Sequence, residues 1–226
     1  MVDRKRMIEE FCELVAINSP SGGEREIADT IKAKLAVLGM AVTEDDVAGK
    51  INGNCGNVYG YLKGTAGAPV LMFSAHLDSV SPCMGIKPQV TDGVITCDGD
   101  SVLGADDKAG IVGILEGIRA IKESGAPHGD IQVVLTVAEE AGLSGSTYID
   151  KKMLKADFGY VLDSGGSPGK IVTAAPGQNN IRVVISGRAA HAGFAPEEGV
   201  NAITVAAKAV AALKQGRIDF ETTANV

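Results

Sequence analysis

Two glutamates stand side by side in LTVAEEAGL (135–143), directly after an apolar run that begins at Val133. Three other places carry similar groups. His76 and Asp78 follow an apolar stretch in FSAHLDSV, Asp106 and Asp107 lie in GADDKAG, and Asp163 follows another apolar stretch in VLDSGG. Each has an ordinary explanation when taken alone. HLD is a polar exit from a strand, the aspartate pair suits a helix N-terminus, paired glutamates are common on surfaces, and Asp before Ser-Gly-Gly forms turns. Four such junctions in succession point instead to one shared site. Gathered carboxylates repel and resist desolvation, so the cluster is costly unless a cation offsets it. Imidazole plus carboxylates, with no cysteine nearby, suits zinc or another divalent first-row metal.

The elements that must position these groups are legible from periodicity. Residues 4–16 place Met7, Ile8, Phe11, Leu14 and Val15 on one helical face, with Asp3 as N-cap. NSPSGGE reads as a loop, and a second helix aligns Ile27, Ile31, Leu35 and Leu38 before Gly39 stops it. GNVYGYL, VLMFSA, IQVVLTVA and FGYVL read as strands, and VTDGVITC as a hairpin turning at Asp92-Gly93. A long helix runs from Asp107 or Lys108 to Ser124, and SGSTYIDKKML (144–154) reads as another helix. Alternating strands and helices predict an α/β domain whose sheet is mainly parallel, and the hairpin predicts that it is mixed. Ligands of such sheets bind outside the carboxyl ends of the strands, where these side chains fall.

After APGQ the texture changes. NIRVVISG reads as a strand, RAAHAGFAPEEG as a loop and NAITVAAKAVAALKQG as an amphipathic helix; FETTANV starts like a strand with nothing to pair to. The expected organisation is a metal-binding catalytic domain over 1–175 and the beginning of a smaller α+β lid domain over 176–226.

Composition narrows the class. The chain has 226 residues, enough for a sizeable core, and 21 basic against 28 acidic residues give a formal charge of −7. With no basic patch, a nucleic-acid or membrane partner is not expected. Cys12, Cys55, Cys83 and Cys97 form no CxxC pair, which predicts free thiols in a reducing compartment. The charged N-terminus MVDRKRMIEEF does not suit a signal peptide, and no run reaches the length of a membrane span, so a soluble, cytoplasmic protein is expected.

FSAHLDSV, GADDKAG, AEEAG and VLDSGG, in this order and spacing, resemble the co-catalytic zinc exopeptidases related to peptidase T, carboxypeptidase G and succinyl-diaminopimelate desuccinylase. The peptidase T-like tripeptidases are the nearest likeness, and it runs from ELVAINSPSGGE to GRAAHAG and ETTANV. The resemblance implies two divalent metal ions, zinc foremost. His76, Asp106, Glu140 and Asp163 match the metal ligands, with Asp106 bridging. Asp78 matches the aspartate that orients the His76 imidazole, Glu139 the general base, and His191 a lid histidine that reaches a catalytic site on closure, often in the partner subunit of a homodimer. It further implies a cis peptide between Asp106 and Asp107. Strand alternation is the expected reason that Glu139 and Glu140 can face different partners.

One departure stands out. The family uses a further histidine near its C-terminus, and this chain has only His76, His128 and His191, none of them placed for it. The expectation is therefore the front portion of a longer enzyme, its second metal site one ligand short. The implied reaction is hydrolysis of a peptide bond near a free terminus, in a small peptide substrate. A deacylase, desuccinylase or carboxypeptidase would use the same site, and a catalytically incomplete metal-binding module is the alternative from another class. A glycosidase built on Glu139 and Glu140 is weaker, since strand neighbours point apart whereas that reaction needs facing carboxyls.

Overall fold

A computed structural model describes all 226 residues, which separate into two compact units, Met1–Gly165 and Gly166–Val226. The division falls ahead of the 175/176 boundary expected from the sequence.

The first unit opens with α1 (Arg4–Val15), capped by Asp3, whose carboxylate accepts from the Lys5 and Arg6 amides. Next come α2 (Arg25–Val37), β1 (Ala41–Glu44), a single turn α3 (Ala48–Ile51), β2 (Val58–Leu62) and β3 (Leu71–His76). β4 (Lys87–Thr91) and β5 (Val94–Asp98) form the expected hairpin. Its turn residues Asp92 and Gly93 both have positive φ, +51° and +80°, which matches the twist of a tight two-residue hairpin. The long helix α4 (Ala105–Ser124), β6 (Ile131–Thr136), the short α5 (Ser144–Thr147) and β7 (Phe158–Val161) complete the unit.

The main sheet has the order β1-β2-β6-β3-β7. β6, β3 and β7 are parallel, while β1 and β2 add an antiparallel edge, so the sheet is mixed as expected, though not through the β4–β5 hairpin, which forms a sheet of its own. β1 was not anticipated: AVTE is short, and its alternating half-exposure is that of an edge strand. β6 is buried along its whole length, Gln132 and Thr136 included, as a central strand paired on both sides should be. One core joins Leu14 of α1, Ile27, Ile31 and Leu35 of α2, and Ile111, Leu115 and Ile118 of α4 to the inner strands.

Residues 144–154 do not make one helix. α5 stops at Thr147, and a separate 3-10 turn, Lys151–Met153, starts where the Asp150 side chain accepts from the Lys152 amide. An aspartate that caps a new turn competes with continuation of the preceding helix.

α1 and α4 are tied by a buried carboxylate. Glu116 accepts from the Asp3 amide at 2.7 Å, from Arg6 Nε and Nη2 at 2.7 Å each, and from Arg119 Nη1 at 3.3 Å. The Arg6 guanidinium holds the Glu116 carboxyl down at about 2, against an ordinary 4.5. A folded-state pKa below the unfolded one means that the stabilisation is complete above about pH 4.5 and lost as the pH falls to about 2. Glu116→Gln should lower the unfolding free energy by about 1–3 kcal/mol at neutral pH, and the difference from wild type should close over that acid range in denaturant titrations.

In the second unit, α6 (Ala202–Ala212) is capped by Asn201, which accepts from the Thr204 amide. Two differences from expectation concern strands. Residues 180–187 form no ladder, because a strand exists only with a partner, and the one bridge nearby joins Arg188 to Val200. The end of the chain does pair: β8 (Gly216–Arg217) and β9 (Thr223–Ala224) form a two-residue antiparallel ladder. All four cysteines are free, and no helix is long and apolar enough to cross a membrane.

Candidate metal centre

The site gathers at the carboxyl ends of the three parallel strands in the first unit. His76 is the last residue of β3, paired with Thr136 of β6. β3 also pairs with β7 through Ser74–Val161, so Asp163, two residues past that pair, stands level with His76. α4 supplies the fourth segment. Its first turn is unwound at Asp106 (φ −83°, ψ 109°) and Asp107 (φ −117°, ψ 35°), and regular helix begins at Lys108. The Asp106–Asp107 peptide is cis. Asp106 Oδ1 lies 3.2 Å from His76 Nε2.

Two groups of potential ligand atoms result, each with its atoms within 4.8 Å of one another: His76 with Asp106 and Asp163, and His76 with Glu139 and Glu140. His76 belongs to both. The sequence-derived residues His76, Asp106, Glu139, Glu140 and Asp163 are thus brought together, whereas His128 belongs to neither group and binds back on the Gly129 carbonyl in its loop. His191 lies exposed in the second unit, its Nδ1 accepting from the Gly193 amide and its ring tilted against Phe194.

Strand alternation does not separate Glu139 from Glu140. β6 ends at Thr136, and Ala138 adopts φ +49°, left-handed for a residue with a Cβ. Such a conformation costs about 1–3 kcal/mol and persists only where surrounding structure imposes it. It turns the chain out of the strand, so that both glutamates approach the same imidazole.

The electrostatics are those of a crowded acidic site. Burial pushes the Asp163, Glu139 and Glu140 carboxyls up, and the neighbouring carboxylates add to the rise against the opposing pull of His76. Burial alone would lower the His76 pKa, but the Asp78 and Asp106 carboxylates outweigh it and hold the imidazole at about 9. Asp107 is pushed up to about 7 by burial, and its Oδ2 has no hydrogen-bond partner. An imidazole and oxygen ligands converging from separate segments, with their negative charge unbalanced, fit a divalent ion of the zinc type.

A buried polar frame supports these groups. Asp78 is fully buried, with Oδ1 3.3 Å from His76 Nδ1 and its backbone carbonyl 3.1 Å from the same nitrogen. Asp78 Oδ1 also accepts from the Glu139 amide at 2.9 Å, and Oδ2 accepts from the Glu140 amide at 3.1 Å and from Ser21 Oγ at 2.6 Å. Lys108, buried and pulled down to about 8 by desolvation, donates to Ser19 Oγ, Ser79 Oγ and the Leu77 and Asp78 carbonyls. Gly110 follows from the same packing, since a Cβ there would lie 2.4 Å from Asp107 Oδ1. Sequence reasoning missed Ser19, Ser21, Glu24 (whose Oε1 accepts from the Ala138 amide) and Lys108 as contributors. The only signal for the first three was the loop NSPSGGE, and nothing in DDKAG marks its lysine as buried. A surface hollow of about 510 Å³ in the second unit, between Gly187 and Ile203, contains none of the acidic ligand candidates.

A mixed α/β domain with a zinc-type donor set at its carboxyl edge is the class of protein that fold and site define. Residues 57–211 match Peptidase family M28, and the chain belongs to that family. The chain is 46% identical over 226 residues to Uncharacterized protein YqjE of Bacillus subtilis (strain 168), covering all of this chain and 61% of that protein. Among solved structures, the aminopeptidase PepT from Bacillus cereus ATCC 10987 is 44% identical with a TM-score of 0.84, covering 99% of this chain and 60% of that one. A tripeptidase from Staphylococcus aureus subsp. aureus Mu50 is 40% identical with a TM-score of 0.89, covering 100% and 61%. The chain therefore spans about 60% of the length of these relatives.

Proposed function

We propose that this chain carries the metal-binding part of a peptidase that hydrolyses small peptides near a free terminus, with tripeptides cleaved from the amino end as preferred substrates. The observation that carries the reading is the meeting of two acidic ligand groups at a single imidazole. His76, Asp106 and Asp163 would hold one divalent ion, and Asp106 with Glu140 would hold a second, zinc suiting both by donor type. Bound there, such ions lower the pKa of water towards about 7 and polarise a carbonyl.

The remaining steps belong to side chains. Asp78 fixes the His76 ring through Nδ1, leaving Nε2 directed at Asp106. Glu139 takes the proton of the attacking water and delivers it to the leaving amine. Burial, first of all, raises its pKa above the ordinary carboxylate value. His191 donates to the developing oxyanion, and the unit that bears it, Gly166–Val226, serves as lid and dimer contact in a cytoplasmic enzyme.

Activity on a panel of tripeptides, dipeptides and N-acyl amino acids tests the reading. Tripeptide turnover that chelation abolishes and zinc restores is the expected result, and preferential hydrolysis of acyl amino acids would replace it with a deacylase. His191→Ala in the full-length protein should lower kcat by about 10²–10³ at unchanged metal content, the loss that follows removal of one oxyanion donor. Analytical ultracentrifugation checks the dimer.

A further inference from the structure

Glu24 occupies the N-cap position of α2, yet its side chain does not cap that helix. It is fully buried and reaches across the fold instead. Oε1 accepts from the Gly22 amide at 2.9 Å and from the Ala138 amide at 2.9 Å, while Oε2 has no partner. Beside it, the two Asp78 oxygens take the Glu139 and Glu140 amides. Three successive N–H groups, at 138, 139 and 140, are thus gripped by two buried carboxyl groups. A run of amides around a left-handed residue forms a concave receptor for acceptor oxygens, and here the protein supplies its own carboxyl groups.

We infer that Glu24 is a positioning residue for the proposed base: its grip on the Ala138 amide holds the left-handed turn that aims Glu139. The inference rests on the reading of Glu139 as base. The geometry explains two features together. Ala138 has a Cβ and still sits at φ +49°, so something outside its own preferences must hold it there. Glu24 is a buried carboxyl group with no cationic partner, and its one bonded oxygen holds both its own loop and this turn. Only Oε1 is bonded, so a neutral side chain of the same reach with one acceptor oxygen can take the same two amides.

Reach and charge are separable by substitution. Glu24→Gln preserves the length of the side chain and its acceptor oxygen but carries no charge; Glu24→Asp keeps the charge and is one methylene shorter. In the full-length protein, Glu24→Gln should retain kcat within about threefold, whereas Glu24→Asp should lower it at least about tenfold at unchanged KM, since small misplacements of a reacting group have effects of this size. Amide hydrogen exchange on the metal-free protein gives a reading independent of activity. Glu24→Asp should speed exchange at Ala138 at least about tenfold while Val133 and Leu135 in β6 stay protected. A glutamine variant as impaired as the aspartate variant overturns the inference, as does an aspartate variant with wild-type kcat and wild-type Ala138 exchange. A wild-type protein inert towards every peptide on the panel sinks the base assignment itself, and the exchange rates then still decide whether Glu24 holds the turn.

Discussion

Glu139→Gln should reduce peptide turnover by about 10²–10⁴ while leaving the bound metal unchanged. The magnitude is that of losing a positioned general base, and glutamine preserves the shape of the side chain while removing its capacity to accept a proton. The neighbouring frame makes the substitution selective. Asp78 holds the backbone amides of residues 139 and 140, not their side chains, so replacing the Glu139 carboxylate leaves the turn and Glu140 in place. Turnover and zinc content, measured on the same full-length preparation, check the outcome. Intact activity would show that another group takes the proton, and parallel loss of metal would make Glu139 a ligand, for which its proximity to His76 and Glu140 gives it the geometry.

Asp106→Ala should weaken metal binding more severely than Glu140→Ala. Its Oδ1 lies 3.2 Å from His76 Nε2, and in the proposed arrangement it would help to hold both ions. The affinity loss should exceed the about 10–100-fold that follows removal of a supporting residue, with peptide turnover falling to background. Glu140→Ala is the contrasting variant, since it spares the His76, Asp106 and Asp163 group. Elemental analysis after dialysis against zinc should find that group filled in Glu140→Ala and depleted in Asp106→Ala. Equal depletion in the two variants would end the bridging assignment.

The ligand candidates were legible because each adjoins an element with a strong pattern. His76 and Asp163 follow apolar strands, Asp106 precedes a periodic helix, and Glu140 closely follows the apolar run 133–138. A strand end on a parallel sheet has one place to be, so sequence order translates into spatial convergence. The turn at Ala138 was not legible. A left-handed alanine has no local signature, because the cause is a carboxyl group more than a hundred positions away in sequence. The same holds for Lys108, whose letter reads as surface until the acceptors around its ammonium are known. In the second unit, 180–187 has the alternation of a strand, but alternation specifies a face and not a partner.

The ladder between β3 and β6 carries a consequence for how this fold tolerates changes in length. The two strands keep one constant offset from Leu71–Ile131 to His76–Thr136. An extra residue inside either strand would break that offset and rotate everything beyond it to the opposite side of the sheet. The exposed tip at Asp92-Gly93 lies between the same strands in sequence but outside their ladder. Added residues there would enlarge a surface loop at a cost that grows only logarithmically. Insertions should therefore be accepted at the hairpin tip and rejected within the ladder, which makes that tip the natural place to graft a tag or a reporter.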